Sequence, residues 1–294
     1  MMKAFIEKYL NQFFADKLNL AVSALSFRSI GGGSINDCYQ VVVNERSRFF
    51  LKVNLVKSCP GLFQKEKNGL EFLDGQTRLR MPSVIACDEI NHYQVLLLEW
   101  IEAGTRTEHF WKQFGEQLAA LHLVTNPHFG FDEDNYMGSL PQRNDKYDNW
   151  PDFFVHCRIE PQVEIAKSNY LLTSKQLDAF ENLYQQLSSI FDDERPSLVH
   201  GDLWSGNFMC DQNANPVLID PAVYFGHRSM DLAMTRLFGG FERPFYESYN
   251  YYSPLPKNYR DQWDICNLYP LLIHLNLFGS GYLDQIERTL QLYA

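Results

Sequence analysis

Residues 200–207 read His-Gly-Asp-Leu-Trp-Ser-Gly-Asn, and residues 217–220 read Val-Leu-Ile-Asp. The first run places Asp202 and Asn207 five positions apart in a turn-rich segment, and the second ends a short apolar strand at Asp220. Phosphoryl transfer from ATP needs such a set, because one carboxylate accepts the proton of the attacking hydroxyl while an amide and a second carboxylate hold the metal on the phosphates. The catalytic loop of protein kinases has the same Asp-to-Asn spacing. Asp202 is therefore the candidate base, and Asn207 and Asp220 are candidate Mg²⁺ ligands.

The run at residues 200–207 also has an ordinary structural alternative. Gly, Asp and Asn suit turn geometry, so this run alone leaves an even choice between a turn and an active site. Asp220, at the end of a predicted strand, shifts that choice toward a phosphotransferase. A phosphotransferase of this kind also requires a nucleotide-binding segment upstream.

A glycine-rich segment lies in the expected place. The run Gly31-Gly32-Gly33-Ser34 separates two predicted strands, and the second of these, residues 38–43, forms a hairpin with residues 48–53. Consecutive glycines let a backbone approach phosphates closely and adopt positive φ. A plain flexible turn is the alternative, and it would be favoured if Lys52 were not present.

Lys52 lies in the middle of the otherwise apolar strand 48–53. A lysine that points inward needs a partner, because burying its charge alone is costly; a lysine on a solvated face is the alternative. The available partner is Glu66, which shares one stripe of a predicted helix over residues 61–73 with Phe63. In kinases such a Lys–Glu pair directs the lysine toward the α- and β-phosphates.

Residues 95–102 are interpreted as a buried strand that runs into a connector. In a kinase this strand ends at the hinge between the lobes, where backbone groups can hydrogen-bond the edge of adenine. The candidates here are Glu99, Trp100 and Ile101. A plain core strand would have the same composition, so the assignment depends on the order of the motifs along the chain, which matches that of a kinase throughout.

Composition excludes several other classes of protein. The 294 residues are 45% hydrophobic and carry a net charge of −10, with no basic run, so a nucleic-acid partner is not expected. Charges interrupt the amphipathic N-terminal segment, so it does not have the apolar core of a signal peptide. No apolar run approaches transmembrane length. The six cysteines show no metal-ligand spacing and indicate reduced thiols in a cytoplasmic protein. Cys38 follows the glycine run, and a packed bystander thiol is favoured there over a redox role.

Helix signals dominate the second half of the chain. Residues 105–108 and 173–176 resemble capping boxes, and Pro151 is typical of a first helical turn. Pro270 is expected to bend or break a helix over residues 268–275.

These segments predict an α+β, protein kinase-like fold with two lobes. A small β-sheet lobe over residues 1–102 would bind the nucleotide, and a larger, mainly helical lobe over residues 103–294 would carry catalysis and substrate binding. No internal repeat or low-complexity linker interrupts this division.

Three features narrow the class of kinase. Asp220 is followed by Pro-Ala, and only about eight residues separate it from the predicted helix at Arg228, which leaves no room for a long activation loop. Trp204, two residues past the base, is expected to form a wall beside the acceptor hydroxyl; core packing is the alternative. Asp231 is expected to anchor the catalytic-loop backbone, or else to be an exposed first-turn helix residue.

The chain resembles the fructosamine-3-kinase (ketosamine kinase) family, a branch of the aminoglycoside and choline kinase-like fold. The similarity covers nearly the whole sequence. The matching motifs lie at residues 31–36, 129–131, 135–139, 141–144, 149–150, 200–207, 219–222 and 275–282.

This resemblance implies transfer of the ATP γ-phosphate to the 3-hydroxyl of a sugar ketoamine (a fructosamine, ribulosamine or erythrulosamine), the product of amine glycation. The phosphorylated adduct then decomposes, which repairs the amine. Some members carry Cys at the position of Ser34, so a thiol switch is not carried over to this chain. His274, on a late predicted helix, is a further candidate for the substrate site, with a satisfied core histidine as the favoured alternative.

Two rival functions remain open. One is a kinase of the same fold that acts on an aminoglycoside, choline or another amino alcohol, since the net charge does not exclude a cationic substrate. The other is a non-catalytic nucleotide-binding module, against which the complete set of required side chains argues. The sequence does not reveal the preferred ketosamine, whether that substrate is free or protein-bound, or the oligomeric state.

Overall fold

The computed structural model describes residues 2–31 and 35–293. Its first part, called here the sheet part, is an antiparallel five-stranded sheet in the order β1-β2-β3-β5-β4, with one helix before it and one inserted after β3. The elements are α1 (Met2–Leu18), β1 (Leu25–Ile30), β2 (Asp37–Val43), β3 (Ser47–Leu55), α2 (Leu62–Asp74), β4 (Val84–Ile90) and β5 (Tyr93–Glu99).

Alternation along the strands gives the sheet two apolar faces. On one face, Leu51 and Val53 of β3 and Leu97 of β5 are buried against Leu10 and Phe14 of α1. The neighbouring residues on β3 and β5 alternate to the other face, toward α2 and the rest of the chain. Lys52 therefore points into the protein, as the sequence predicts, and is only 2% exposed.

The second part, called here the helical part, contains helices and three two-stranded ribbons. Its elements are α3 (Glu108–His122), β6 (Asn135–Met137), β7 (Leu140–Gln142), α4 (Trp150–Phe154), α5 (Glu160–Ser168), α6 (Ser174–Tyr184), α7 (Leu187–Ile190), β8 (Ser197–Val199), β9 (Phe208–Cys210), β10 (Pro216–Leu218), β11 (Tyr224–Gly226), α8 (Ser229–Leu237), α9 (Arg243–Tyr252), α10 (Tyr259–Cys266), α11 (Leu268–Phe278) and α12 (Leu283–Leu290). The predicted α+β architecture is confirmed.

The predicted helix starts are confirmed with one correction. Thr173 and Gln176 form the expected reciprocal capping box, and Pro151 lies in the first turn of α4. The capping residue of α3 is Thr107, whose side chain accepts from the backbone N–H of Phe110, so the box predicted at 105–108 begins two residues too early. Its Thr-Glu pattern was matched by spacing alone, which does not fix where the extended backbone ends.

Pro270 lies in the first turn of α11, not in its middle. The chain breaks earlier, at Asn267 between α10 and α11, and a proline in the first turn lacks only an N–H that would have had no helical partner. Helix α11 is uninterrupted from Leu268 to Phe278, so the prediction that Pro270 bends or breaks a helix over residues 268–275 is wrong. Across the described ranges, no helix has both the length and the apolar character needed to cross a bilayer.

Helix α2 belongs to the sheet part and packs between the sheet and the helical part. Its buried residues Leu62, Phe63, Leu70 and Leu73 belong to the same apolar cluster as α3 and α11. At Gly69, an added Cβ would lie 3.2 Å from Val223 Cγ2, so the helix backbone comes close to the segment that follows Asp220. The helix that carries Glu66 is thus held against the helical part along much of its length.

Candidate active site

A cleft of about 610 Å³ lies between the sheet part and the helical part. It is lined by most of the residues that the sequence predicts for the site: Gly31, Lys52, Glu66, Glu99, Trp100, Ile101, Asp202, Trp204, Asn207 and Asp220. Gly32, Gly33 and Ser34 lie outside the described residues. His274 lies one layer behind this lining, where its ring packs on Phe238, and Phe238 in turn packs on Trp204.

Asp202 and Asn207 are joined within the loop between β8 and β9. The side-chain amide of Asn207 donates to the carbonyl oxygen of Asp202 at 2.8 Å and to its carboxylate Oδ2 at 2.7 Å. Because the amide nitrogen is used in this way, the side-chain oxygen of Asn207 remains for other contacts in the cleft. Burial raises the pKa of Asp202 well above its usual value; the Asn207 hydrogen bond opposes this, and the charges of Asp220 and Asp231 add to it.

Asp231 anchors the backbone of this loop, as the sequence predicts. Its fully buried carboxylate accepts from the N–H of His200 at 2.7 Å and from that of Gly201 at 2.9 Å. Burial alone would raise the pKa of Asp231, but hydrogen bonds from His122 and the loop backbone hold it below its usual value. Gly201 has φ +85°, and an added Cβ would lie 2.1 Å from the carbonyl oxygen of Ala222, so only glycine fits this turn.

His200 links the two catalytic segments. Its Nε2 donates to the carbonyl oxygen of Ile219 at 2.9 Å, and its Nδ1 accepts from the N–H of Asp202 at 3.2 Å. This pattern assigns the neutral Nε2–H tautomer, in agreement with the pKa of His200, which burial lowers. The ring therefore fixes the strand end before Asp220 relative to the loop that carries Asp202.

Lys52 lies between two carboxylates. Its Nζ is 2.7 Å from Oε1 of Glu66 and 2.5 Å from Oδ1 of Asp220, which confirms the predicted partner and adds a second one. Burial favours the neutral amine, but the charges of Asp220 and Glu66 outweigh it and raise the pKa of Lys52. Asp220 has φ +55°, an uncommon conformation for a residue other than glycine that is often found at functional sites.

The hinge end of the cleft is apolar. Phe50, Leu98, Met209 and Ile219 surround the space next to residues 99–101, which suits a flat ring. The Glu99 side chain turns away from this space, because it pairs with Arg80 and accepts from the N–H of Ser83. Glu99 therefore lines this space through its backbone and not through its carboxylate, which is the arrangement that the hinge hypothesis predicts.

Sequence reasoning missed two groups of residues, one beside the cleft and one in its lining. Arg80 bridges Glu99 and the buried Asp211 at 2.7 Å, and so joins the hinge to the helical part. Asn135 and Tyr136 of the β6–β7 hairpin line the end of the cleft near Trp204. The motif at residues 135–144 marked this hairpin only as a family resemblance, since three-residue strands give almost no periodic signal.

Trp204 forms one wall of this end of the cleft. Its indole packs edge-on against Phe238 at a centroid distance of 6.0 Å and covers Gly206, where an added Cβ would lie 2.4 Å from the ring. Trp204 is only half-buried, so part of the ring remains available to a ligand.

Trp204→Ala is expected to raise the KM for the phosphoryl acceptor roughly tenfold or more, with little change in the KM for ATP. The reason is loss of an aromatic wall worth about 1–3 kcal/mol of apolar burial. Steady-state kinetics with each substrate varied in turn provides the measurement, and Trp204→Phe, which keeps an aromatic wall, is the matched control. Equal damage to both KM values, or a large fall in Tm, would assign Trp204 to core packing instead.

A five-stranded sheet above a helical part, with a Lys–Glu pair, an Asp/Asn loop and a strand-end Asp in the cleft between them, defines a phosphotransferase of the protein kinase-like fold. Solved structures agree with this class at the level of the fold. A macrolide 2'-phosphotransferase of type I aligns over 98% of this chain and 97% of its own with a TM-score of 0.60 at 14% identity.

The chain belongs to the fructosamine kinase family, whose sequence profile matches residues 6–293. It is 35% identical over 262 residues to the chloroplastic protein-ribulosamine 3-kinase of Arabidopsis thaliana, covering 86% of this chain and 78% of that protein. It is 37% identical over 270 residues to a candidate ketoamine kinase of Synechocystis, covering 90% and 88%. A crystal structure of a candidate fructosamine-3-kinase from Thermobifida fusca superposes with a TM-score of 0.85 at 31% identity, covering 96% and 97% of the two chains. The predicted family is confirmed.

Proposed function

We propose that this chain transfers the γ-phosphoryl group of ATP to the 3-hydroxyl of a sugar ketoamine. One observation carries the proposal: in a member of the fructosamine kinase family, the Lys52–Glu66–Asp220 cluster and the Asp202–Asn207 pair line the same cleft. The acceptor class follows the family and relatives such as the plant ribulosamine 3-kinase.

ATP would occupy the end of the cleft between the hinge and Lys52. The adenine lies among the apolar side chains beside residues 99–101, and the Lys52 ammonium reaches the α- and β-phosphates. When the phosphates and the metal bind, they would compete with Lys52 for Asp220. Glu66 would still keep the Lys52 ammonium in place. Burial of the pair makes a lysine without its glutamate costly, so the pair acts as one unit.

Asp220 and Asn207 fit a Mg²⁺ ion carried with the nucleotide. Protein Mg²⁺ sites commonly use one or two carboxylates together with substrate phosphates, and these two residues present one carboxylate and one amide oxygen to the cleft. When bound, the ion would neutralise charge on the β- and γ-phosphates. The Asp220 carboxylate lies beside Lys52, with which it pairs at 2.5 Å.

Asp202 would orient the acceptor hydroxyl and take its proton. The Asn207 amide holds the Oδ2 atom, which leaves Oδ1 for the hydroxyl. The raised pKa of Asp202 makes its carboxylate a better proton acceptor than an exposed aspartate. Trp204 and the β6–β7 hairpin would then form the walls that orient the sugar.

The test is an acceptor panel with labelled ATP. The panel contains ribulose-lysine, fructose-lysine and erythrulose-lysine adducts, together with choline and an aminoglycoside. Phosphorylation of at least one ketoamine in preference to choline and the aminoglycoside is expected. Turnover of only choline or the aminoglycoside would move the chain to the first rival function, and no turnover of any acceptor despite ATP binding would favour the non-catalytic module.

The enzyme is expected to be active without prior phosphorylation. Between Asp220 and α8 the described chain forms β11 and a short connection, with no segment long enough to fold over the cleft and wait for a phosphate to order it. Phosphatase-treated protein from a bacterial host should retain full ketoamine kinase activity. Activity that appears only after incubation with a second kinase would contradict this prediction.

Two further predictions belong with this function. The lobes are proposed to divide near residue 102, after β5, with nucleotide binding by residues 1–102 and acceptor binding by residues 103–294. A cytoplasmic location follows from the reduced thiols that the sequence indicates.

A further inference from the structure

One acidic residue of the helical part grips helix α2 at the turn that carries Glu66. Glu133, in the loop before β6, places its Oε2 2.5 Å from Nζ of Lys65 and its Oε1 2.8 Å from Nδ2 of Asn68. Lys65 and Asn68 are three positions apart on one face of the helix, and Glu66 on the neighbouring face points to Lys52. A single carboxylate therefore holds the two residues that flank Glu66.

The Glu133–Lys65 ion pair is held more firmly than an ordinary surface ion pair. Both Glu133 and Lys65 are half-buried, with 29% and 31% of their side chains exposed, and both oxygens of Glu133 have a partner. The loop that carries Glu133 is also fixed from inside the protein. Asn144 donates to the carbonyl oxygen of Glu133 at 3.0 Å and accepts a hydrogen bond from the fully buried Arg158. A pair that is held at both ends loses little side-chain entropy when it forms.

The other contacts of α2 with the helical part show why an ion pair at this point matters for the position of the helix. Farther along α2, Gly69 packs on Val223 and Phe72 packs edge-on against Phe131 at 5.1 Å. Before the helix, the Tyr136 hydroxyl donates to the carbonyl oxygen of Pro60 at 2.9 Å. Glu133 supplies the only charged contacts found between the described parts of α2 and the helical part, and they lie one and two residues from Glu66.

We propose that Glu133 is a positioning residue, which holds α2 so that Glu66 keeps Lys52 aimed at the phosphates. This inference rests on the proposed function for its kinetic readout. It assigns to a fixed loop of the helical part the role that a phosphorylated activation loop has in regulated protein kinases, namely keeping the Lys–Glu pair assembled. Glu133 acts through Lys65 and Asn68 and does not itself contact the nucleotide.

The test compares Glu133→Gln, Lys65→Met and the double charge exchange Glu133→Lys with Lys65→Glu. Each single variant is expected to lower kcat/KM for ATP about threefold to tenfold, with a much smaller effect on the KM for the ketoamine. The charge exchange should recover part of that loss, since it restores the ion pair but not the Asn68 contact. Asp132→Asn is the matched control, because Asp132 lies next to Glu133 but pairs with the exposed Lys146; it should behave as the unmodified protein.

A second readout needs no acceptor at all. Affinity for ATP with Mg²⁺, measured by calorimetry, should fall in both single variants, and backbone amides of residues 62–74 should exchange faster with solvent. These two measurements stay informative if the acceptor is not a ketoamine, so they separate failure of this inference from failure of the proposed function. Unchanged nucleotide affinity and unchanged exchange in α2 would overturn the inference. A lower Tm with unchanged kcat/KM for ATP would also overturn it, because it would reduce Glu133 to a stabilising contact.

Discussion

Asp202→Asn is expected to lower kcat by about 10²–10⁴-fold, the usual cost of losing a positioned general base. Nucleotide affinity should be nearly unchanged, because Asp202 contacts Asn207 and the loop backbone but not Lys52. The neutral amide can still accept the hydrogen bond from Asn207, so the loop should keep its conformation. The measurement is single-turnover phosphorylation of the acceptor, with ATP affinity determined in parallel.

Stability provides the control for this variant. Burial raises the pKa of Asp202 well above its usual value, so ionising the buried carboxyl group costs the folded state free energy. The sign follows from the linkage: a group with a raised native pKa stabilises the fold fully below its unfolded-state pKa, and this contribution is lost as the pH rises through the native pKa. Replacement by a neutral side chain should therefore leave Tm equal or higher. A variant that keeps more than a tenth of the original kcat would show that Asp202 is not the base.

Asp220→Asn is expected to abolish Mg²⁺-dependent ATP binding and turnover together. The change removes the single carboxylate that the proposed metal site offers, while the amide oxygen can still accept from Lys52. Asparagine is also the safest replacement at φ +55°, because it tolerates left-handed backbone, whereas alanine at this position adds strain of about 1–2 kcal/mol. Asp220→Ala should therefore show the same loss of function with a lower Tm.

Calorimetric titration with ATP in the presence and absence of Mg²⁺ is the measurement for Asp220. The original protein should bind ATP more tightly with the metal, and the asparagine variant should lose that difference. Asp211→Asn is a useful comparison, since this acidic residue pairs with Arg80 behind the hinge and not with the phosphate end of the cleft. Unchanged affinity for the magnesium complex in Asp220→Asn would remove Asp220 from the metal site.

Much of the site could be predicted because its chemistry is local in sequence. The Asp202-to-Asn207 spacing lies within one loop, and the Asn207 amide donates a hydrogen bond back to the Asp202 carboxylate. Lys52 and Glu66 lie on different elements, and only the fold brings them together. Each was nevertheless recognisable by itself, one as a charge inside an apolar strand and the other as a charge on an apolar helix stripe. Their pairing was predicted because Lys52 was the available cation for Glu66; the second partner of Lys52, Asp220, was not predicted.

Other parts of the site depend on contacts that a single sequence does not reveal. His122 supports Asp231 from 109 positions away, and Glu133 reaches Lys65 from 68 positions away. Neither residue has a local pattern that separates it from a solvated charge. The position of Pro270 shows the same limit, since proline lowers helix propensity in the interior but suits the first turn, and only the fold places the helix start. The sequence around His274, the candidate substrate residue, also did not indicate that its ring lies behind Trp204 and Phe238.

The most direct test of the central claim is the structure of the product made from ATP and ribulose-lysine. Phosphorus–proton correlation spectroscopy should place the new phosphate on the oxygen of sugar carbon 3, and free lysine should appear as the phosphorylated adduct decomposes. Both signals should vanish with Asp202→Asn. A phosphate on another hydroxyl, or on no part of the ketoamine while ATP is still consumed by a different acceptor, would contradict the account.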